Sequence, residues 1–93
     1  MSAQATARLL VSGEVQGVAF RFWTRRKAEA AGVRGWVRNL PDGTVEAVVQ
    51  GDRPAVDSVI AWCRKGPAAA AVTEVETEWV HDAPEFTGFA IRY

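Results

Sequence analysis

The chain has 93 residues, a formal net charge of zero, 48% hydrophobic and 24% charged residues. That length suits one domain spanning 1–93 near the lower end of comfortable size, with four tryptophans and four phenylalanines to fill a modest core. Zero net charge argues against a generic nucleic-acid binder, no apolar run approaches a membrane span, and the single Cys63 excludes an internal disulfide or a cysteine-based zinc cluster.

The opening MSAQATAR lacks a basic start followed by a long apolar core, so no secretory signal is expected, and a cytoplasmic location is. Ala7 to Ser12 predicts a strand, with apolar Leu9, Leu10 and Val11 ahead of Gly13. Arg21 to Ala31 predicts a helix: Phe20, Thr24, Ala28 and Ala31 fall near one face, and Gly32 is a natural stop. Arg34 to Leu40 and Thr44 to Gln50 predict two strands joined by the turn Pro41-Asp42-Gly43. Gly51-Asp52-Arg53-Pro54 opens a second helix, with Asp52 able to cap and Pro54 suited to a first turn. Val56, Val59, Ile60 and Cys63 then follow the spacing of a buried stripe, and Gly66-Pro67 ends it. Val75, Thr77 and Trp79 alternate with Glu74, Glu76 and Glu78, a half-buried strand; Phe89, Ile91 and Tyr93 alternate with Ala90 and Arg92 in the last one.

The order β-α-β-β-α-β is that of an α+β fold, the ferredoxin-like split β-α-β sandwich, with an antiparallel sheet and two helices on one face. That fold hosts many functions and decides none.

Charge is unevenly spread. Six of the eleven basic residues lie between Arg21 and Arg38, opposed there only by Glu29, whereas Glu74 to Tyr93 holds five acids and one base. Two solvated faces would explain this, and so would a field drawing a small anion to one end of the domain.

The stretch GEVQGVAFR, Gly13 to Arg21, joins the first strand to the first helix. Glycines let consecutive N–H groups turn inward, and the helix that follows begins with unpaired N–H groups. Together these make a concave set of donors suited to a phosphate, and Arg21 adds a planar fork matching its oxygens two at a time. A tight turn feeding a helix, with a solvated arginine, would use the same letters. A second motif, GWVRNLPDGTVEAVVQG, runs from Gly35 to Gly51 and places Asn39 at a strand end. Asparagine tolerates turn geometry there, and spacing alone does not aim it at the loop.

The two motifs resemble the paired signatures of the acylphosphatase family. Gly13, Val15, Gln16, Gly17, Val18, Phe20 and Arg21 match the first, and Gly35, Trp36, Val37, Arg38, Asn39, Gly43, Val45 and Gly51 match the second. The similarity covers essentially the whole chain, with no departure at the motif positions. It implies hydrolysis of the carboxyl–phosphate bond of small acyl phosphates, giving a carboxylate and inorganic phosphate. It implies that Arg21 holds the phosphoryl group together with N–H groups of Val15, Gln16, Gly17, Val18, Ala19 and Phe20, and that Asn39 orients the attacking water. Inorganic phosphate is then both product and competitive inhibitor.

No cofactor or metal is expected, since no His/Asp/Glu cluster reads as a metal site. Cys63 sits on the apolar stripe and His81 lies far from both motifs, so a core thiol and a surface imidazole are expected. A carboxylate leaves readily, and phosphoryl transfer asks chiefly for positioning and electrostatics. Arg21 is too basic to take a proton from water. An RNA-binding domain of the same fold would need aromatics interleaved with basic residues on the central strands, and Thr-Val-Glu-Ala-Val-Val-Gln has none. A module that holds an anion without turning it over differs only by Asn39 and its water. The partners expected are a small acyl phosphate, no nucleic acid and no membrane, with a monomer as the default state.

Overall fold

Ala7, Leu9 and Val11 are fully buried, and the strand that carries them extends beyond their apolar alternation at both ends. The computed structural model describes residues 4–93; residues 1–3, the start of the stretch read as lacking a signal, lie outside it. The elements are β1 (Gln4–Glu14), α1 (Phe20–Ala31), β2 (Arg34–Asn39), β3 (Val45–Asp52), α2 (Arg53–Lys65), β4 (Ala71–Trp79) and β5 (Phe89–Arg92). Backbone pairing lengthens β1 where its side chains are polar: Gln4 is registered with Asp52 and Glu14 with Ala71.

The five strands form one sheet in the order β4-β1-β3-β2-β5. The expected antiparallel pairing holds across β4, β1, β3 and β2, whereas β5 adds to β2 in parallel, with Gly35 beside Phe89 and Val37 beside Ile91. The sheet is therefore mixed at one edge.

One sheet face supplies Leu9, Val11, Val37, Val45, Ala47 and Val49 to the core. The helices cover it with Phe20, Thr24 and Ala28 from α1 and Val56, Val59, Ile60 and Cys63 from α2, the stripes their spacing predicts. Gly32 closes α1 in the left-handed region, with Val33 N–H donating to Ala28 O at 2.8 Å. Asp52 precedes α2 as expected but its side chain caps nothing; its carboxylate instead accepts from Gln4 Nε2 at 2.7 Å.

No helix covers the opposite face, and the segment between β4 and β5 crosses one end of it, where Gln50 Nε2 donates to Pro84 O at 2.8 Å. On that face Glu46 on β3 takes Arg8 of β1 at 2.6 Å and Arg38 of β2 at 2.6 Å, tying three strands together. Burial would raise the Glu46 pKa, but hydrogen bonds from Arg38 and Arg8 outweigh it and hold the carboxyl below its ordinary value. Among the described residues, no helix is long and apolar enough to cross a membrane.

Candidate active site

β1 and β2 both pair antiparallel with β3, so they run in the same sense. The loop leaving β1 and the residue ending β2 therefore share one end of the sheet. This topology brings Asn39 to the loop, which spacing along the chain left open.

The loop is shaped by two left-handed residues, Gly17 at φ 75° and Ala19 at φ 61°. Glycine takes that conformation freely; alanine takes it at a cost of roughly 1 kcal/mol, which the surrounding structure must offset. Ala19 is also the residue before α1, and its methyl cannot cap the helix. No acidic residue stands in the first turn either. Among the described residues, none of the N–H groups from Val15 to Phe20 donates to a backbone carbonyl in a turn, loop or cap. The helix N-terminus is thus an uncapped positive end, with Arg21 adding a full charge where the macrodipole alone would disfavour one.

Gly13 belongs elsewhere than expected. It lies within β1 at φ 121°, where the register with β4 shifts, and a Cβ there would stand 2.1 Å from Ala71 O. Close strand approach, and not the curl of the loop, requires that glycine. The loop between β1 and α1 is Val15 to Ala19.

Arg21, Asn39, Val15, Gly17, Ala19 and Phe20 line one cavity of about 270 Å³. Phe22, Ile91 and Tyr93 complete it. Arg21 Nη1 reaches Arg92 O at 3.4 Å, and its guanidinium sits 4.8 Å from the centre of the Tyr93 ring. Asn39 Oδ1 is buried and has no hydrogen-bond partner. An acceptor removed from water and left unpaired costs about 1–3 kcal/mol, so its presence here points to a donor the protein itself does not supply.

The remaining loop residues split in role. Val15 buries its side chain in the core yet still lines the cavity, whereas Val18 packs against the core's edge and does not line it. Gln16 turns its amide away, donating to Leu40 O at 2.7 Å and Thr44 O at 2.9 Å in the β2–β3 hairpin. Phe22, Ile91 and Tyr93 escaped the sequence reading as site residues; the last two arrive only through the parallel β5 pairing.

The clustered bases do not gather at one end of the domain. Arg21 faces the cavity, Arg38 is taken by Glu46, Arg25 by Glu29 at 3.4 Å, and Arg34 starts β2 at the far end, donating to Gln4 Oε1 at 2.9 Å. Cys63 is fully buried on α2, and burial pushes its thiol up to about 12 despite a hydrogen bond with Thr24. His81 is exposed and lines a separate cavity with Arg34 and Trp79. No group of three or more His, Cys, Asp or Glu gathers among the described residues.

The fold is the ferredoxin-like α+β sandwich, and the cavity at one end of its sheet is lined by the β1–α1 loop, Asn39 and a single guanidinium, that of Arg21. An acylphosphatase family model matches residues 7–91. An acylphosphatase of Anaeromyxobacter dehalogenans is 52% identical over 93 residues, 100% of both chains. One from Pelotomaculum thermopropionicum is 50% identical over 91 residues, covering 98% of this chain and 99% of its own. Of solved structures, an acylphosphatase from Coxiella burnetii superposes with a TM-score of 0.91 at 38% identity, over 96% of this chain and 93% of that one. Another, from Bacillus subtilis, gives 0.93 at 30% identity, over 96% and 99%. The chain belongs to the acylphosphatase family: it is an enzyme that hydrolyses acyl phosphates.

Proposed function

We propose that the phosphoryl group of an acyl phosphate sits in the Val15–Phe20 cradle, gripped by Arg21, while Asn39 Oδ1 accepts a hydrogen bond from the attacking water. The observation that carries this reading is the unpaired, buried Asn39 Oδ1 on the same cavity as Arg21. A water bound there satisfies the orphaned acceptor and turns its oxygen lone pair toward phosphorus.

The water oxygen forms a bond to phosphorus, and the bond from phosphorus to the carboxylate oxygen breaks, its electron pair leaving with the carboxylate. The free N–H groups and Arg21 stabilise charge on the equatorial oxygens. No His, Asp or Glu lines the cavity. The water proton therefore goes to a phosphoryl oxygen, which becomes an oxygen of the inorganic phosphate released. The reaction uses no metal, and the chain works as a monomeric single domain in the cytoplasm.

The test is steady-state release of phosphate from acetyl phosphate, with added inorganic phosphate and with a chelator. Competitive inhibition by phosphate and unchanged turnover under chelation are expected. Non-competitive inhibition would place the substrate elsewhere than the cradle.

A further inference from the structure

The cavity has a closed end and an open end. Asn39 Oδ1, out of contact with solvent, marks the floor. Phe22 and Tyr93, 47% and 98% exposed, mark the lip. Attack on phosphorus runs in line, with the incoming and leaving oxygens on opposite sides. A water held at the floor therefore sends the leaving carboxylate, and the acyl group attached to it, toward the lip.

The lip is aromatic and carries no acid. Phe22 lines the same cavity as Arg21, so its ring is within reach of whatever extends from a phosphoryl group that Arg21 holds. Phe22 is half exposed, set edge-on to Trp23 at 5.0 Å with Arg26 6.0 Å from its ring centre, and a flat acyl group laid on its remaining surface would cover part of it. We propose that Phe22 is a specificity-determining residue that favours acyl phosphates with an aromatic acyl group over small aliphatic ones. The inference rests on the water being held at Asn39.

The experiment compares kcat/KM for benzoyl phosphate and acetyl phosphate in the parent enzyme, Phe22→Ala, Phe22→Tyr and Trp79→Ala. The intrinsic reactivities of the two substrates are the same for every variant, so the benzoyl-to-acetyl ratio isolates the acyl contact. Phe22→Ala is expected to lower that ratio by about five-fold or more, the scale of one aromatic contact. Phe22→Tyr should keep it. Trp79→Ala removes another exposed ring, one that lines the separate cavity with Arg34, and should leave the ratio at the parent value. Hydrolysis of both substrates with the ratio unmoved in Phe22→Ala, or moved equally in Trp79→Ala, overturns the aromatic lip and leaves the Arg21–Asn39 reading standing. A parent enzyme inactive on both substrates overturns that reading first.

Discussion

Gln16 Nε2 donates to the carbonyl of Leu40 at 2.7 Å, the residue directly after Asn39. One side chain thus ties the β1–α1 loop to the strand end that carries Asn39. The second bond, to Thr44 O, keeps the anchor on both sides of the hairpin turn. Leu40 N–H still bonds Thr44 O at 2.9 Å, so the hairpin does not depend on Gln16 for its shape.

Gln16→Ala should therefore leave the fold intact and lower turnover by roughly ten-fold, because the two halves of the site drift relative to each other. Gln16→Glu should be worse despite its similar size, since a carboxylate cannot donate and would face two carbonyl oxygens. The kcat loss should exceed the KM change in both variants. A parent-like rate in Gln16→Glu would show that the anchor does not position the site.

Arg21 and Asn39 should fail in different ways. On the proposed role, Arg21→Ala removes a contact to phosphoryl oxygens present throughout the reaction, so phosphate binding and turnover should both fall. Arg21→Lys should restore little, because an ammonium cannot form the two-pronged fork. Asn39→Ala should keep phosphate affinity near the parent value while turnover drops by about 10²-fold or more. Calorimetry with phosphate beside steady-state hydrolysis separates the two. Equal loss of phosphate binding in both variants would move Asn39 into the cradle.

The stripe Val56, Val59, Ile60 and Cys63 was legible because a helix repeats its buried face every three or four residues, whatever lies opposite. Gly32 was legible for the same local reason. Arg21 and Asn39 could be named as site residues from their motifs, but their meeting could not be read from spacing. It depends on β1 and β2 sharing β3 as neighbour. Ile91 and Tyr93 needed more still: β5 has four residues, and nothing in their alternation says that they lie parallel to β2. Asp52 was read as a cap because capping is a local habit; its actual partner, Gln4, is fixed by strand register. Gly13 was assigned to the loop for want of knowing that the Ala71 carbonyl passes beside it.

The glycines should consequently respond differently to a methyl group. A Cβ on Gly35 would stand 1.8 Å from Val48 O, and one on Gly13 2.1 Å from Ala71 O, both backbone atoms with no easy retreat. Gly35→Ala and Gly13→Ala should each cost about 3 kcal/mol, lowering the melting temperature by upwards of ~10 °C. Gly17→Ala meets open space and bears only the left-handed strain, about 1 kcal/mol. Thermal denaturation of the three variants checks the order; a Gly17→Ala as unstable as Gly35→Ala would contradict it.

Cys63 should be inert in the folded enzyme. Burial holds its thiol at about 12, so almost no thiolate exists at neutral pH. Alkylation by iodoacetamide should proceed only on unfolding, and Cys63→Ala should retain activity with some loss of stability. Rapid alkylation of the native enzyme, with loss of turnover, would be the contrary result.

Glu46 predicts an acid-dependent share of stability. The folded carboxyl gives up its proton more readily than the unfolded one, whose ordinary value is 4.5. Its contribution is therefore complete above that value and is lost as the pH falls below it. Glu46→Gln should be destabilised by roughly 1 kcal/mol at pH 7, since both arginine partners are partly solvated. The gap between variant and parent should narrow in urea denaturation curves as the pH drops from about 5 towards 3. A gap constant with pH would mean the ion pairs contribute nothing.

Only one pair of strands in the sheet, β2 and β3, is joined by a short hairpin turn. Ala7 must find Trp79, Gln4 must find Asp52, and Gly35 must find Phe89. Closing such long loops before any contact rewards them slows folding relative to a helical bundle of the same size. The cavity walls come from residues of the β1–α1 loop and the first turn of α1, Asn39, and Ile91 with Tyr93, so refolding chains lack the complete cavity until β5 docks. In a refolding experiment, recovery of activity should track that docking step and lag behind the early gain of helical signal.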